Sequence, residues 1–126
     1  MSSILVVEDD ARARRNISSF LGEKGYDMAE ANDGMEALDQ LNHRRFDLVL
    51  TDIVLPRMDG LTLIEHVCSS WPQTHIIAMT AYFQSATETQ FLVPGAKDFI
   101  RKPIALSDLL SKIQRLLKPT ASPAES

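Results

Sequence analysis

Short apolar runs of four to six residues alternate along the chain with longer segments in which apolar residues recur every three or four positions. The short runs predict β-strands, and the longer segments predict amphipathic helices. The predicted strands are residues 4–7, 26–31, 47–51, 75–79 and 98–101. The predicted helices are residues 10–22, a segment that follows residue 33, residues 61–71, residues 84–93 approximately, and residues 106–117.

Capping and breaking residues support the helix boundaries. Asp33 and Glu36 have the spacing of a capping box. Pro72 ends the third predicted helix, and Pro94 ends the fourth. The inward-facing residues expected from the helical period are Ile17, Phe20 and Leu21 in the first helix, Met35, Leu38 and Leu41 in the second, and Leu106, Leu109, Leu110, Ile113, Leu116 and Leu117 in the last.

The order of these elements predicts the fold class. Five successive strand–helix pairs indicate an α/β protein, a doubly wound five-stranded parallel sheet with five helices on its two faces. Right-handed crossovers and the flavodoxin-like strand order 2-1-3-4-5 complete this predicted architecture. Residues 1–118 form the predicted domain, and the small, polar residues 119–126 are expected to be a disordered tail.

Charged and hydroxyl side chains follow four of the predicted strands. Glu8 and Asp9 follow the first strand, Asp52 the third, Thr80 the fourth and Lys102 the fifth. The ligand site of an open parallel sheet lies beyond the carboxyl ends of its strands, so we expect these side chains to converge. Crowded carboxylates repel unless a cation is present, and Mg²⁺ prefers carboxylate and phosphate oxygens. The pattern predicts a Mg²⁺ site at which Asp52 attacks a phosphoryl group, with Lys102 and Thr80 contacting its oxygens.

Each of these residues also has a structural explanation when taken alone. Asp9 or Asp10 can cap the first helix and favour its dipole. Asp52 can belong to a turn, Thr80 can simply end a strand, and Lys102 can be a solvated surface charge. Their arrival at the ends of different strands favours the chemical interpretation.

Composition narrows the class of protein. The 126 residues are 44% hydrophobic and 24% charged, with a net charge of −4. No basic stripe indicates nucleic-acid binding, and the single cysteine, Cys68, excludes an internal disulfide. The chain has neither an apolar run long enough for a membrane span nor a signal-peptide pattern at its N-terminus. We therefore expect a cytoplasmic protein that binds neither nucleic acid nor a membrane directly.

Four segments together resemble the receiver domain of response regulators, over about residues 3–118. They are ILVVEDD at residues 4–10, DLVLTD at residues 47–52 with MDG at residues 58–60, IIAMTA at residues 76–81, and GAKDFIRKP at residues 95–103. The resemblance implies that Asp52 is the phosphoacceptor and that Thr80 and Lys102 contact the phosphoryl group. It implies Mg²⁺ or Mn²⁺ ligands from Glu8, Asp9, Asp52 and the backbone carbonyl of Val54, and a cis peptide bond between Lys102 and Pro103.

The same resemblance implies a signalling switch rather than an enzyme. A histidine kinase or a histidine phosphotransfer protein would supply the phosphoryl group to Asp52. Thr80 and Phe99 would be the switch residues, although Phe99 lacks a hydroxyl and can respond only by packing. The face formed by the fourth helix, the fifth strand and the fifth helix would then change shape, and it could also support a homodimer.

Three positions depart from the commonest pattern of the family or tune its chemistry. Glu8 stands where an aspartate is more frequent, and we expect metal binding to survive the longer side chain. Val54 and Tyr82 occupy the positions that tune the lifetime of the acyl phosphate. Val54 cannot hydrogen-bond an attacking water and Tyr82 is bulky, so slow self-hydrolysis is predicted.

Three alternatives stay open on the sequence alone. A phosphatase of the haloacid dehalogenase type would use Asp52 as nucleophile, but it needs an aspartate where Val54 stands. A dinucleotide-binding domain needs a glycine-rich turn after the first strand, where this chain has three acids that would repel a pyrophosphate. A receiver-like domain that only binds partners would keep the fold without the chemistry.

Overall fold

The computed structural model describes residues 2–55, 57–80 and 95–117. Its five strands form one parallel sheet in the order β2-β1-β3-β4-β5. The strands are β1 (Ser3–Val7), β2 (Asp27–Ala31), β3 (Leu48–Asp52), β4 (His75–Thr80) and β5 (Asp98–Arg101). The predicted fold class and strand order are confirmed.

Four helices are described, and three of them begin after an aspartate. They are α1 (Ala11–Glu23), α2 (Gly34–His43), α3 (Gly60–Ser70) and the C-terminal helix (Leu106–Leu116). The side chains of Asp10, Asp33 and Asp59 accept hydrogen bonds from backbone N–H groups in the first turns of α1, α2 and α3, which satisfies donors that have no partner inside the helix. The helix expected near residues 84–93 and the tail expected at residues 119–126 lie outside the described residues, so the prediction of five helices stays a prediction.

Two apolar cores, one on each face of the sheet, hold the layers together. Successive residues of a strand point to opposite faces. Leu5 and Val49 accordingly belong to the core under α2 and α3, whereas Ile4 and Leu48 belong to the core under α1 and the C-terminal helix. Strands β1 and β3 are buried along their whole length, as expected for central strands covered on both sides.

The predicted inward face of α2 is partly wrong. Met35 is 48% exposed, and the buried residues of this helix are Gly34, Ala37 and Leu41. Position 34 turns inward at a point where a β-carbon would lie 2.8 Å from both the β-carbon and the carbonyl oxygen of Met58. Only glycine fits there, and the larger Met35 lies one position further round the helix.

Strands β3 and β4 each extend one residue beyond the predicted end. Asp52 pairs with Met79, and Thr80 pairs with Arg101. Asp52 and Thr80 are both polar although they are buried, so the apolar run stops before the strand does, and pairing with the neighbouring strand determines where it ends. The side chains of Asp52 and Thr80 therefore project from ordered backbone at the carboxyl edge of the sheet. Within the described residues, no helix has the length and apolarity needed to cross a membrane.

Candidate functional site

The carboxyl ends of β1 and β3 bring two acids together. Val7 lies opposite Thr51 in the parallel register, so the next residues, Glu8 and Asp52, lie side by side at the carboxyl edge of the sheet. Both are buried, with 2% and 7% of their surface exposed. Strands β4 and β5 then place Thr80 beside Arg101, one residue before Lys102. The convergence expected from the sequence is observed for these positions.

The Lys102 side chain joins the two acids. Its Nζ donates to Glu8 Oε1 at 2.7 Å and to Asp52 Oδ2 at 2.5 Å. The backbone N–H of Lys102 donates to the carbonyl oxygen of Thr80 at 2.7 Å, which fixes the chain just after β5. The peptide bond between Lys102 and Pro103 is cis, as the resemblance implied.

Burial and hydrogen bonding oppose each other in this cluster. Burial raises the pKa of Glu8 above its usual 4.5, although hydrogen bonds from Lys102 and from the backbone N–H of Asp10 pull it down. Burial by itself would lower the pKa of Lys102, but the hydrogen bonds to Asp52 and Glu8 outweigh it, and the pKa lies above its usual 10.5. The ammonium is therefore held charged, whereas the buried Glu8 carboxylate is incompletely compensated.

A third carboxylate completes an acidic cluster. Glu8, Asp9 and Asp52 each offer an oxygen, and these oxygens lie within 4.8 Å of one another. Asp9 is exposed to solvent, unlike the other two. Three carboxylates thus face one ammonium, which leaves an excess of negative charge at a point that solvent can reach. Oxygen ligands, excess negative charge and an open side are what a hard divalent cation such as Mg²⁺ requires, so the residues present fit that ion.

The loop between β3 and α3 approaches Asp52 closely. The backbone N–H of Val54 donates to Asp52 Oδ1 at 3.2 Å, so both carboxylate oxygens of Asp52 have a donor. The N–H of Gly60 donates to the carbonyl oxygen of Ile53 at 2.7 Å. A β-carbon on residue 60 would lie 2.6 Å from Ile53 Cα and overlap the carbonyl oxygen of Asp52, so this return of the chain requires glycine. The Val54 side chain itself points outward, with 55% of its surface exposed.

The predicted switch residues lie on neighbouring strands. Thr80 is 1% exposed at the end of β4. Phe99 lies in β5 opposite Ala78 and packs, half-buried, against the core under α2 and α3. Lys112 Nζ from the C-terminal helix lies 5.9 Å from the centre of the Phe99 ring. Tyr82, the other predicted lifetime residue, lies outside the described residues.

Sequence reasoning missed two arginines that support the site. Arg14, 13% exposed, donates to the backbone carbonyl of Glu8 at 2.8 Å and pairs with Glu30 at 2.9 Å. The sequence did offer one indication of this position: Arg14 lies three residues before the buried Ile17, and therefore on the same side of α1. Arg57, from the β3–α3 loop, pairs with Asp33 at 2.8 Å; no local pattern in the sequence indicates that contact.

Comparison with known proteins agrees with this geometry. The family model described as "Response regulator receiver domain" matches residues 4–114. The response regulator MprA of Mycobacterium sp. (strain KMS) is 38% identical over 118 residues, which cover 94% of this chain and 51% of the relative. The chain therefore spans about half the length of the curated relatives it matches, and it belongs to the response regulator receiver domain family.

Solved structures of receiver domains show the same fold. The receiver domain of the Francisella response regulator 1452 superposes with a TM-score of 0.86 at 28% identity, covering 95% of this chain and 99% of that one. The chemotaxis response regulator CheY4 of Vibrio cholerae superposes at 0.84 with 30% identity, covering 93% and 99%. The response regulator TrrA of Thermotoga maritima, solved in complex with Mg²⁺-BeF, superposes at 0.82 with 30% identity, covering 93% and 100%.

Proposed function

We propose that the chain is a phosphorylation-dependent signalling switch whose Asp52 accepts a phosphoryl group. The observation that carries this proposal is Lys102 Nζ between Glu8 and Asp52, with the exposed Asp9 beside them. The donor would be a phosphohistidine on a histidine kinase or a phosphotransfer protein, since receiver domains of response regulators interact with such kinases. The protein would thus regulate a partner in the cytoplasm rather than turn over a small-molecule substrate.

Glu8, Asp9, Asp52 and the backbone carbonyl of Val54 are the proposed ligands of Mg²⁺ or Mn²⁺. Such an ion supplies charge neutralisation for the transferring phosphoryl oxygens when it is bound. Asp9 is the exposed acid of the set, whereas Glu8 and Asp52 are both paired with Lys102. Asp9 can therefore bind the ion without first giving up that lysine. The complex of TrrA with Mg²⁺-BeF supports the same choice of ion.

The chain's own residues would perform the transfer. A carboxylate oxygen of Asp52 forms a bond to phosphorus while the bond from phosphorus to the histidine nitrogen breaks, and the released imidazole takes a proton from solvent. Lys102 Nζ and the N–H of Val54 already donate to the two Asp52 oxygens. When one of these oxygens becomes part of the anhydride, its donor is left facing the incoming phosphoryl oxygens, where positive charge is needed.

Thr80 and Phe99 are the proposed relay to the surface. A phosphoryl group on Asp52 would attract the Thr80 hydroxyl, and Phe99 on the adjoining strand would repack. Such a shift needs different contacts in the two states, and Thr80 and Lys102 would supply them. The surface around β5, the C-terminal helix and the helix predicted near residues 84–93 would then bind a downstream partner or a second copy of the chain.

The proposal also covers the lifetime of the acyl phosphate and the bounds of the functional domain. Val54 and Tyr82 are expected to slow hydrolysis of the acyl phosphate, since neither positions an attacking water well. Residues 1–118 are the proposed functional domain.

Intact-mass measurement after incubation with acetyl phosphate and Mg²⁺ tests the proposal. One adduct of about 80 Da is expected, lost in Asp52→Asn and in the presence of EDTA. The matched control is Asp59→Asn, because Asp59 lies in the same loop and caps α3, and asparagine caps a helix equally well. A chain that gains no adduct would instead be a receiver-like domain that only binds partners. An adduct that persists in Asp52→Asn would show that another residue is phosphorylated and would contradict the assignment of Asp52.

A further inference from the structure

The loop that follows Asp52 is fixed by an ion pair to a different helix. Arg57 Nε donates to Asp33 Oδ2 at 2.9 Å, and its terminal nitrogen donates to Oδ1 at 3.0 Å. This is a two-pronged contact of the kind a guanidinium makes best. The Asp33 side chain is 7% exposed, whereas that of Arg57 is 60% exposed. The arginine therefore reaches in from the surface to a buried carboxylate.

Helix capping alone does not account for this contact. Asp33 Oδ1 already accepts the N–H of Glu36 at 2.9 Å as the N-cap of α2, and an uncharged asparagine would do so equally well. Arg57 also has a backbone φ of +67°, in the left-handed region that residues with a β-carbon rarely adopt. The loop therefore holds a non-glycine residue in an unfavourable conformation at the point where it makes the ion pair.

The ion pair acts on the same loop that approaches Asp52. The loop is attached at its start by the N–H of Val54 to Asp52 Oδ1 and at its end by Gly60 to Ile53. Between these points the described residues of the loop contact α2 through the ion pair of Arg57 and through the close approach of Met58 to Gly34. Releasing the ion pair would remove one of these contacts, so the loop that begins at Val54 would be held less firmly against α2.

We propose that Arg57 is a positioning residue that acts through Asp33: it fixes the β3–α3 loop to the start of α2 and so sets where the Val54 backbone lies relative to Asp52. The link to metal affinity rests on the proposed function, because Val54 is there a metal ligand. Contacts that orient a metal ligand without touching the metal change affinity by about tenfold or more. We expect the loss of this ion pair to raise the dissociation constant for a divalent cation by about tenfold.

Three variants separate positioning from simple electrostatics. Arg57→Gly removes the cation and relieves the positive φ, Asp33→Asn removes the anion and keeps the cap, and the double variant removes both. Long-range charge effects on a bound cation would have opposite signs in the two single variants, because one removes a positive charge and the other a negative charge. Positioning predicts weaker binding in both, and a double variant no weaker than the worse single variant.

The matched control is the ion pair of Arg44 with Asp27, which is also 2.8 Å long but lies at the other end of the sheet. Arg44→Gly and Asp27→Asn are expected to leave cation affinity unchanged. The probe is Mn²⁺ alone, with free ion followed by electron paramagnetic resonance. Deuterium uptake of the peptide covering residues 53–60 is measured in parallel, and it should rise in Arg57→Gly and Asp33→Asn but not in the controls.

Two results would overturn the proposal: unchanged uptake in both Arg57→Gly and Asp33→Asn, or Mn²⁺ affinities that move in opposite directions in the two. Arg57→Lys keeps the positive charge but cannot make both hydrogen bonds of the guanidinium. Its affinity for Mn²⁺ should lie between those of Arg57→Gly and the wild type. Neither measurement uses a phosphodonor. A wild-type chain that binds Mn²⁺ and shows these loop effects, yet gains no phosphoryl adduct, would contradict the proposed function and leave the role of Arg57 supported.

Discussion

At the carboxyl end of the sheet three carboxylates face one ammonium, whereas at the amino end Asp27 and Asp47 have separate partners. Asp27 pairs with Arg44 at 2.8 Å. Asp47 accepts hydrogen bonds from the backbone N–H of Ser3 at 2.8 Å and from its hydroxyl at 3.3 Å. Each of these two acids of the amino end therefore has a partner of its own, whereas at the carboxyl end three carboxylates share one ammonium.

A cavity lies at each end of the sheet, and the larger of these two is at the amino end, away from the acidic cluster. A cavity of about 540 Å³ at the amino end lies between the ends of α2 and α3, and the residues lining it include His43, Arg45 and Trp71. Beside the acidic cluster, a cavity of about 320 Å³ is lined by residues that include Glu8 and Lys102. Ordinary loop packing leaves open volume, whereas buried acids that outnumber their cation cost stability unless a ligand compensates them. Excess negative charge, rather than cavity volume, is therefore the observation on which the proposed site rests.

The largest expected difference between the two ends is in the rate of phosphorylation after the loss of Lys102 or of Arg44. Lys102→Met keeps most of the length of the side chain but removes the ammonium between Glu8 and Asp52. Phosphorylation by acetyl phosphate is expected to slow on the order of 100-fold, because a preorganised positive charge is lost from the transferring group. Arg44→Met at the amino end should leave the rate unchanged. Single-turnover intact-mass kinetics measures both, and equal rates in the two variants would contradict the assignment.

Glu8→Gln should separate stability from metal binding. Because burial raises the pKa of Glu8 above 4.5, its ionised form is disfavoured in the folded protein, and stability is lost as pH rises above that value. Glutamine removes this cost and can still accept a hydrogen bond from Lys102. At pH 7 in EDTA we expect a higher melting temperature for the variant than for the wild type.

With saturating Mg²⁺ the order should reverse, because the variant has one fewer charged ligand and gains less from binding. Thermal unfolding in the two buffers, at equal ionic strength, measures both effects. A Glu8→Gln protein that gains as many degrees from Mg²⁺ as the wild type would show that Glu8 is not part of the metal site.

The amino end should respond to mutation in stability alone. Asp47→Ala leaves the backbone N–H of Ser3, which is only 9% exposed, without its carboxylate partner, whereas the hydroxyl can still donate to the carbonyl oxygen of Arg45 at 3.2 Å. The cost is expected to be about 1–2 kcal/mol of unfolding free energy, measured by urea denaturation. The rate of phosphorylation, measured well below the transition, should match that of the wild type. A slower rate would mean that the two ends are coupled.

The sequence was informative wherever position along a strand determines direction. Glu8, Asp52 and Lys102 could be placed at one site because each lies at or just after the end of a strand, and parallel strands end at one edge of the sheet. Arg14 and Arg57 could not, because each long side chain reaches an element distant in sequence and nothing local specifies its partner. The hydrophobic pattern also contains no information on how closely neighbouring elements pack. It favoured Met35 as an inward residue, although Met58 leaves room only for glycine at position 34.

The smallest expected effect concerns the ion pair that links the loop after Asp52 to α2. Hydrogen bonds from Arg57 hold the pKa of Asp33 below its usual 3.8. A depressed carboxyl pKa contributes stability that is fully present above the unfolded-state value and lost as pH falls through the folded-state value. Asp33→Asn, which keeps the helix cap, should therefore be less stable than the wild type at pH 7, with a difference that shrinks below about pH 4.

The difference in stability at pH 7 should also shrink in high salt, because Arg57 is largely exposed and its charge is screened. Urea denaturation from pH 7 to pH 3 measures it, and a difference that stayed constant over that range would show that the charge of Asp33 contributes nothing to the fold.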